Sequence, residues 1–200
     1  MLERIPEVHG QVLDLDAYSD FFDAAYKKII FWKLERRQTF REPGDASWEA
    51  FDTGNWARSL ELNDAERESV RAKVAEDATL GVESRRLRIV ETPVTPYLQW
   101  EMQHFRLLAE EGEDLRVLHA EQVRAWEKAG PLPEIVVLGE CALFEILYDQ
   151  AGSATGARRI HDSDVISACA SEIADLYARA EPLLDYFERE IAHLPTPSAE

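Results

Sequence analysis

The segment spanning residues 85–118 limits the fold more than any other part of the chain. Residues 87–91 alternate as a strand does, and two Thr-Pro pairs then end the strand, because a residue before proline prefers extended geometry. Apolar residues recur at helical spacing over 97–108, and Gly112 follows as a C-terminal cap. A second strand covers 115–118. A strand–helix–strand unit of this length predicts a right-handed crossover between parallel strands.

Four other segments show clear periodicity and extend this unit into a single domain. The pattern predicts helices at 18–26 and 63–79, a strand at 30–40 and a β-hairpin at 134–149. The chain has 200 residues and 46% hydrophobic content, which suits one domain with a real core. We therefore expect an α/β fold with a mixed β-sheet of about five to seven strands, flanked by helices on both faces.

The ends of the chain and one internal stretch carry weaker patterns. We interpret residues 1–13 as a loose N-terminal lead-in, 14–193 as the single α/β domain and 194–200 as a disordered tail. Residues 41–62 read as a loop-rich insert. Its aromatic side chains form either an exposed contact surface or a satellite core, and we favour the core because burying large aromatic groups is strongly favourable.

A long helix closes the domain. It begins after Asp162, and at Pro182 we expect either a kink or the start of a second helix that runs to about His193, because proline removes a helical hydrogen bond. Its apolar stripe either covers the sheet, which is the commoner use, or pairs with another subunit to form a homodimer. Shorter signals predict a capping box at Asn63–Glu66 and a helix at 120–130.

Charge and cysteine content restrict the environment and the partners. The formal net charge of −17 argues against direct nucleic-acid binding, which needs clustered Lys and Arg. Such an acidic chain repels anionic membranes, and it can attract a basic partner. No apolar run is long enough to span a bilayer, and no secretory signal is visible. Cys141 and Cys169, without a Cys-x-x-Cys pair, indicate a cytoplasmic protein with no disulfide framework.

The common cofactor and metal motifs do not occur in the sequence. It contains no Gly-x-Gly-x-x-Gly fingerprint, no Walker A loop and no Gly-x-Ser-x-Gly elbow. The five histidines are scattered without the spacing of metal ligands. We therefore expect no cofactor and no metal site.

Polar residues around the strand–helix–strand unit form the best candidate site. Two arginines share one face of the first strand, a tyrosine and a glutamate share one face of the helix, and further charges lie where the second strand begins. Strand ends and helix starts in such sheets commonly meet at a ligand-binding crevice. The candidate residues are Arg86, Arg88, Tyr97, Glu101, Glu113 and Arg116.

These residues allow two interpretations. As a site, Arg86, Arg88, Tyr97 and Arg116 would hold a carboxylate or phosphate, and the carboxylates would be catalytic. Glu101 in particular could act as a general base if burial raised its pKa, with Glu113 beside it. As a structural element, the same charges would form an ion-pair network that fixes the helix on the sheet, which is the commoner outcome.

Several short motifs, taken in order, resemble one known family. They are Arg85-Arg86-Leu87-Arg88-Ile89-Val90, Tyr97-Leu98-Gln99-Trp100-Glu101, Gly112-Glu113-Asp114-Leu115-Arg116, Trp32-Lys33-Leu34-Glu35, and Tyr148-Asp149 with Gly152. Together they resemble an actinobacterial domain family of unknown function over about residues 20–175. One stretch departs from the family, because the segment 134–139 lacks the aromatic residues that usually precede the hairpin, and Gly139 replaces an acidic residue.

The resemblance implies no established activity. Its members are often encoded beside Xre-type helix-turn-helix regulators, which implies a regulatory role and a transcriptional regulator as protein partner. Three hypotheses remain open: a cytoplasmic regulatory protein that binds a small anionic ligand or a protein partner, an enzyme of specialised metabolism acting on an anionic small molecule, and a structural protein that dimerises through its C-terminal helix. Whether the chain is an enzyme stays open at this point.

Overall fold

Eight strands form one mixed sheet in the computed structural model of the chain, which describes residues 1–197. The strands are β1 (Gln11–Leu13), β2 (Ile30–Glu35), β3 (Glu83–Val90), β4 (Asp114–His119), β5 (Ile135–Leu138), β6 (Ala142–Tyr148), β7 (Ala154–Ile160) and β8 (Glu181–Pro182). Their order across the sheet is β1-β7-β6-β5-β2-β3-β4-β8. Only β2, β3 and β4 run parallel to their neighbours in this group, and the other pairings are antiparallel.

Helices cover both faces of the sheet, so the predicted α/β class with a mixed sheet is confirmed. The helices are α1 (Leu15–Ala25), α2 (Ala46–Asp52), α3 (Trp56–Ala65), α4 (Arg67–Leu80), α5 (Pro96–Glu110), α6 (Ser163–Arg179) and α7 (Leu183–Tyr186). A π-helical turn follows α7 at Phe187–Ile191, and 3₁₀ turns occur at Leu2–Glu7 and Ala120–Val123. The expected helix at 120–130 is therefore reduced to one 3₁₀ turn.

The central unit has the predicted order, with α5 connecting the parallel strands β3 and β4. Thr95 caps α5 by accepting a hydrogen bond from the Leu98 N–H at 3.1 Å, and Pro96 occupies the first turn. Gly112 follows the helix with a φ of 113°, which a residue with a side chain rarely adopts. Local signals therefore suffice to define this unit.

The face of the sheet that packs on α6 is apolar throughout its centre, and we call it the α6 face. Leu87 and Ile89 of β3 lie here with the apolar stripe of α6. Leu2 and Ile5 join the same core, so residues 1–13 contain a packed 3₁₀ turn rather than a loose lead-in. The stripe of α6 is used within the chain, as the commoner of the two interpretations predicted.

The opposite face, which we call the α5 face, has two apolar areas separated by charged residues. Helix α1 packs aromatic side chains over β5, β6 and β7, and α5 with α7 packs over β3 and β4. Between the two areas, the same face of β2 and β3 carries Lys33, Glu35, Arg86 and Arg88. This interruption is the main irregularity of the sheet.

The stretch 41–62 contains α2 and most of α3, so its interpretation as a loop-rich insert was wrong. Asp45 caps α2 and Asn55 caps α3 through their side-chain oxygens. The preferred satellite core is present, because Trp48 and Phe51 are buried against Trp100.

Two other local predictions also differ from the structure. The capping box at Asn63–Glu66 is absent, because Asn63 lies inside α3 and contacts His104 Nδ1 at 3.0 Å. The hairpin turn has three residues instead of two, since Leu138 pairs with Ala142. Helix α6 ends at Arg179, and α7 with the π-helical turn covers 183–191, so of the two alternatives at Pro182 the second helix is present.

The predicted disordered tail lies partly within the described residues. Leu194 packs against the core near α5, and the Pro195 carbonyl accepts a hydrogen bond from Gln99 Nε2 at 2.7 Å. Leu194 and Pro195 therefore contact the domain. The remaining residues, 198–200, lie outside the part of the chain that the structure describes.

Candidate functional site

Two neighbouring parallel strands place four charged side chains side by side on the α5 face. Lys33 pairs with Arg86 and Glu35 pairs with Arg88 in the β2–β3 register. Alternation along each strand brings all four to the same face. Together with Tyr97 and Glu101 of α5, we call these residues the polar strip. Removing such a set of charges from water under a helix costs free energy unless the charges are paired and hydrogen-bonded.

Arg88 is the most deeply buried member, with 1% of its surface exposed. Its Nε donates to Glu101 Oε2 at 2.7 Å, and Nη1 reaches the Ile89 carbonyl at 3.4 Å. Among residues 1–197, no group accepts a hydrogen bond from Nη2. A buried guanidinium with an unused donor is uncommon, because each unsatisfied charged donor costs free energy.

Glu35 is the counter-charge at the centre of the polar strip. Its Oε1 lies 2.7 Å from Lys33 Nζ, and its Oε2 is 3.7 Å from Arg86 Nη1. Burial alone would raise the pKa of Glu35, but the positive charges of Lys33, Arg86 and Arg88 lower it to about 2. Glu35 is therefore ionised at neutral pH.

Tyr97 connects two carboxyl groups. Its hydroxyl lies 3.0 Å from Glu42 Oε1 and 3.2 Å from Glu101 Oε1. Burial raises the pKa of Glu101, although the charge of Arg88 opposes this, and burial also raises the pKa of Glu42. Glu42 is only half-buried, whereas Tyr97 and Glu101 are buried. The chain of oxygens thus leads from the interior towards solvent.

Two further titratable groups border the polar strip. Glu134 Oε1 accepts hydrogen bonds from the backbone N–H groups of Arg36 and Arg37 at 2.7 and 2.6 Å. Burial raises the pKa of Glu134 to about 7, against the opposing charge of Arg88. Burial also lowers the pKa of His104 to about 4, so its imidazole is neutral at pH 7.

The structure brings Arg86, Arg88, Tyr97 and Glu101 together as the sequence suggested. Glu113 lies at the amino end of β4, where its negative charge raises the pKa of Arg86. Its Oε2 is buried, and within the described chain it has no hydrogen-bond partner. Glu113 therefore borders the Arg86 end of the strip, away from Tyr97.

Arg116 lies apart from the other candidates. It pairs with Leu87 rather than with Arg86 or Arg88, so its side chain points to the α6 face. Its guanidinium packs over the Tyr177 ring, 4.7 Å from the ring centroid. The sequence correctly predicted that Arg116 lies near the start of the second strand. A shift of one residue in the pairing would move its side chain from one face of the sheet to the other, and the observed register places it on the α6 face.

Sequence reasoning missed five residues of this region. They are Lys33, Glu35, Glu42, His104 and Glu134. Lys33 and Glu35 occupy alternate positions of the strand predicted at 30–40. A signal was present, because two charges on alternate positions of a strand need partners if the strand is central. Only the strand order identifies Arg86 and Arg88 as those partners.

Metal binding and membrane insertion receive no support from the described residues. Over 1–197, no three His, Cys, Asp or Glu side chains converge as metal ligands would. Cys169 is buried and Cys141 exposed, and neither forms a disulfide. Within the same range, no helix combines the length and the apolar character needed to cross a bilayer.

The chain matches the model of one known protein family. The family model described as a domain of unknown function, DUF6879, matches residues 16–188. The chain belongs to DUF6879. The DUF6879 region extends from α1 into the π-helical turn and includes every residue of the polar strip. The resemblance to an uncharacterised domain family is thereby confirmed. A search of curated proteins finds no match to this DUF6879 chain.

Proposed function

We propose that this DUF6879 protein binds a small anionic ligand at the polar strip. The observation that carries the proposal is a pair of unused donors: Arg86 Nε and Arg88 Nη2 are both buried, and neither has a hydrogen-bond acceptor within residues 1–197. They lie two residues apart on one face of β3. Guanidinium groups so arranged suit the oxygens of a carboxylate, phosphate or sulfate.

The local charge supports an anion even though the whole chain is acidic. Three cations, Lys33, Arg86 and Arg88, meet only one carboxyl with a lowered pKa, Glu35. Glu101 is the next carboxyl, and burial raises its pKa. The local charge of the polar strip therefore favours binding of an anion, although the formal net charge of the whole protein is −17.

Lys33 is more exposed than the other charged members of the polar strip. Its side chain is 31% exposed, whereas that of Glu35 is 6% exposed. Glu42 and His104 are half-buried, and the charge of Lys33 acts on both of them. We infer that a ligand enters here and that the protein acts as a cytoplasmic regulator, alone or with a protein partner such as a transcriptional regulator. The regulator encoded beside relatives, which the sequence resemblance implies, is the reason for naming that partner.

The alternative function is an enzyme that acts on an anionic small molecule. In this case the arginines would hold the substrate, and Glu101 would be the acid or base because burial raises its pKa. Glu113 would serve as a second carboxylate near Arg86. The neutral His104 would be a further proton acceptor at the edge of the site. Turnover abolished in Glu101→Gln would favour this alternative.

Sulfate titration of the full chain tests the proposal. We expect saturable shifts of the backbone amide NMR signals of residues 31–35 and 84–90, beyond those that chloride causes at equal ionic strength. Lys33→Met should weaken sulfate binding by about tenfold, since it removes one attractive charge. Arg116→Met is the matched control, because it removes one charge from the other face of the sheet. Equal loss in both variants, or no saturable shift, would overturn the proposal.

A further inference from the structure

Three oxygen atoms at the edge of the polar strip form a chain with too few hydrogens. The Tyr97 hydroxyl is within hydrogen-bond distance of Glu42 Oε1 and of Glu101 Oε1. A phenol has one hydrogen to donate, and an ionised carboxylate has none. If both carboxylates were ionised, one of the two contacts would bring a carboxylate oxygen against the phenol oxygen without a hydrogen. A proton on Glu42 or Glu101 removes that conflict.

The surroundings of the chain are mixed in charge. Burial of Glu101 and Tyr97 favours the neutral forms, as does the negative charge of Glu35 near both of them. The charges of Arg88 and Lys33 favour an ionised Glu101. The titratable and charged groups that surround these three residues are Lys33 and Glu35 of β2, Arg86 and Arg88 of β3, Asp45 before α2, His104 of α5, Glu134 before β5 and Tyr148 of β6.

We propose that Glu42 and Glu101 share one proton through the Tyr97 hydroxyl at neutral pH, and that anion binding at the polar strip draws this proton to Glu101 while Glu42 takes up a second proton from solvent. The coupling rests on the proposed function, whereas the shared proton does not. Both carboxyl groups have pKa values raised by burial, which agrees with the proposal.

The proton movement is balanced at each oxygen. The shared proton begins on Glu42, which is half-buried. Glu42 passes its proton to the Tyr97 oxygen, and the original phenol hydrogen moves to Glu101 Oε1. Tyr97 is neutral before and after the transfer, and rotation of its hydroxyl restores the starting arrangement. Solvent then protonates Glu42 again, so the net result is a proton on a buried carboxyl that contacts Arg88 and one proton taken up from water.

Protonation of Glu101 would prepare the site for an anion. Arg88 Nε is bonded to the Glu101 carboxylate, which competes with a ligand for the same guanidinium. An incoming anion also repels the charges of Glu35 and Glu101. Neutralising Glu101 removes one of these charges, so anion affinity should rise as pH falls. The ligand class is therefore an anion that stays charged when the site takes up a proton.

Carbon NMR of the ligand-free full chain tests the shared proton. Carboxyl signals of Glu42 and Glu101 should show one of the two groups still protonated above pH 6.5, well above the ordinary Glu pKa of about 4.3. In Tyr97→Phe, protonated Glu42 loses the phenol oxygen that accepts its hydrogen, so Glu42 should titrate at least about one pH unit lower. Tyr148→Phe is the matched control, since no hydrogen bond of residues 1–197 involves its hydroxyl. Both carboxyls ionised by pH 6, or unchanged titration in Tyr97→Phe, would overturn the proposal.

Sulfate affinity between pH 6 and 8 tests the coupling, because sulfate itself stays fully ionised there. Uptake of one proton predicts affinity that falls about tenfold per pH unit as pH rises, by linkage. Glu101→Gln, which imitates the protonated acid, should bind with little pH dependence. If wild-type affinity does not vary with pH, the coupling is wrong and the proposed function stands. If sulfate never binds, the proposed function and the coupling both fail, and the carbon signals alone decide the shared proton.

Discussion

The two faces of strand β3 differ in what they bury. Leu87 and Ile89 on the α6 face are fully buried among apolar side chains. Arg86 and Arg88, one position away, lie under α5 with carboxylates and aromatic rings. The α6 face gains stability from each buried side chain, whereas the α5 face must compensate for removing charges from water.

This contrast separates stability from the candidate function. Buried ion pairs rarely add net stability, because desolvation offsets most of their attraction. A fold that needed only a core could place apolar residues at Arg88 and Glu101, as it does at Leu87. A role other than packing is therefore best sought in the residues of the polar strip. Its unused donors strengthen that argument.

The largest expected loss of stability comes from breaking the Arg88–Glu101 ion pair on the α5 face. Arg88→Met leaves Glu101 buried without its cation, which should cost about 3–5 kcal/mol at pH 8. The cost should shrink at pH 5, where Glu101 can be protonated. The double variant Arg88→Met with Glu101→Leu should restore most of the stability. Urea unfolding of the wild type and both variants at pH 5 and pH 8 measures the cost at each pH and the recovery in the double variant.

Leu87→Ala on the α6 face is the control for that comparison. A cavity in an apolar core should cost about 2–5 kcal/mol, and this cost should be the same at pH 5 and pH 8. If Arg88→Met is equally insensitive to pH, then Glu101 does not respond to the loss of its partner. In that case the two faces would not differ in the way we describe.

A second prediction concerns pH alone. The pKa of Glu134 is about 7 in the folded chain and about 4.5 ordinarily, so the folded state binds this proton more tightly. The stabilisation is fully present below about pH 4.5 and is lost as pH rises through about 7, a change of about 3 kcal/mol. Glu134→Gln keeps an oxygen for the Arg36 and Arg37 N–H groups and should remove this slope.

The measurement is the free energy of unfolding of the two proteins between pH 4.5 and 8. The difference between Glu134→Gln and wild type should move in favour of the variant by about 3 kcal/mol over this range. Glu140→Gln, at an exposed position of the hairpin turn, serves as the control. A difference that stays constant with pH would mean that Glu134 is ionised throughout.

Sequence reasoning predicted the parts of the fold that local chemistry determines. The Thr95 cap, the proline after it and the glycine after the helix define α5 without any distant contact. The edge strands β1 and β8, with three and two residues, are too short for periodicity to detect. Helices α2 and α3 were missed because glycine and acidic residues resemble a loop, although their caps Asp45 and Asn55 were readable signals.

The candidate site was partly predictable for a similar reason. Tyr97 and Glu101 share a helical face, and Arg88 lies on the adjacent strand, so their proximity follows from the strand–helix unit. Glu42 is 55 residues from Tyr97, and its contact depends on how α2 and its preceding loop fold back. Glu35 becomes a partner of Arg88 only because β2 lies next to β3. Strand order is a property of the whole chain, which local patterns do not encode.

The smallest effect is expected at Arg116, which tests the assignment of faces directly. Its guanidinium stacks on Tyr177 at a partly exposed position, an interaction worth about 0.5–1 kcal/mol. Arg116→Met should lower stability by no more than this and leave sulfate affinity unchanged, because the charge lies across the sheet from the polar strip. Loss of sulfate binding in this variant would place the anion on the α6 face. The two unused guanidinium donors of β3 would then be a structural feature, and the contrast between the two faces would carry no functional meaning.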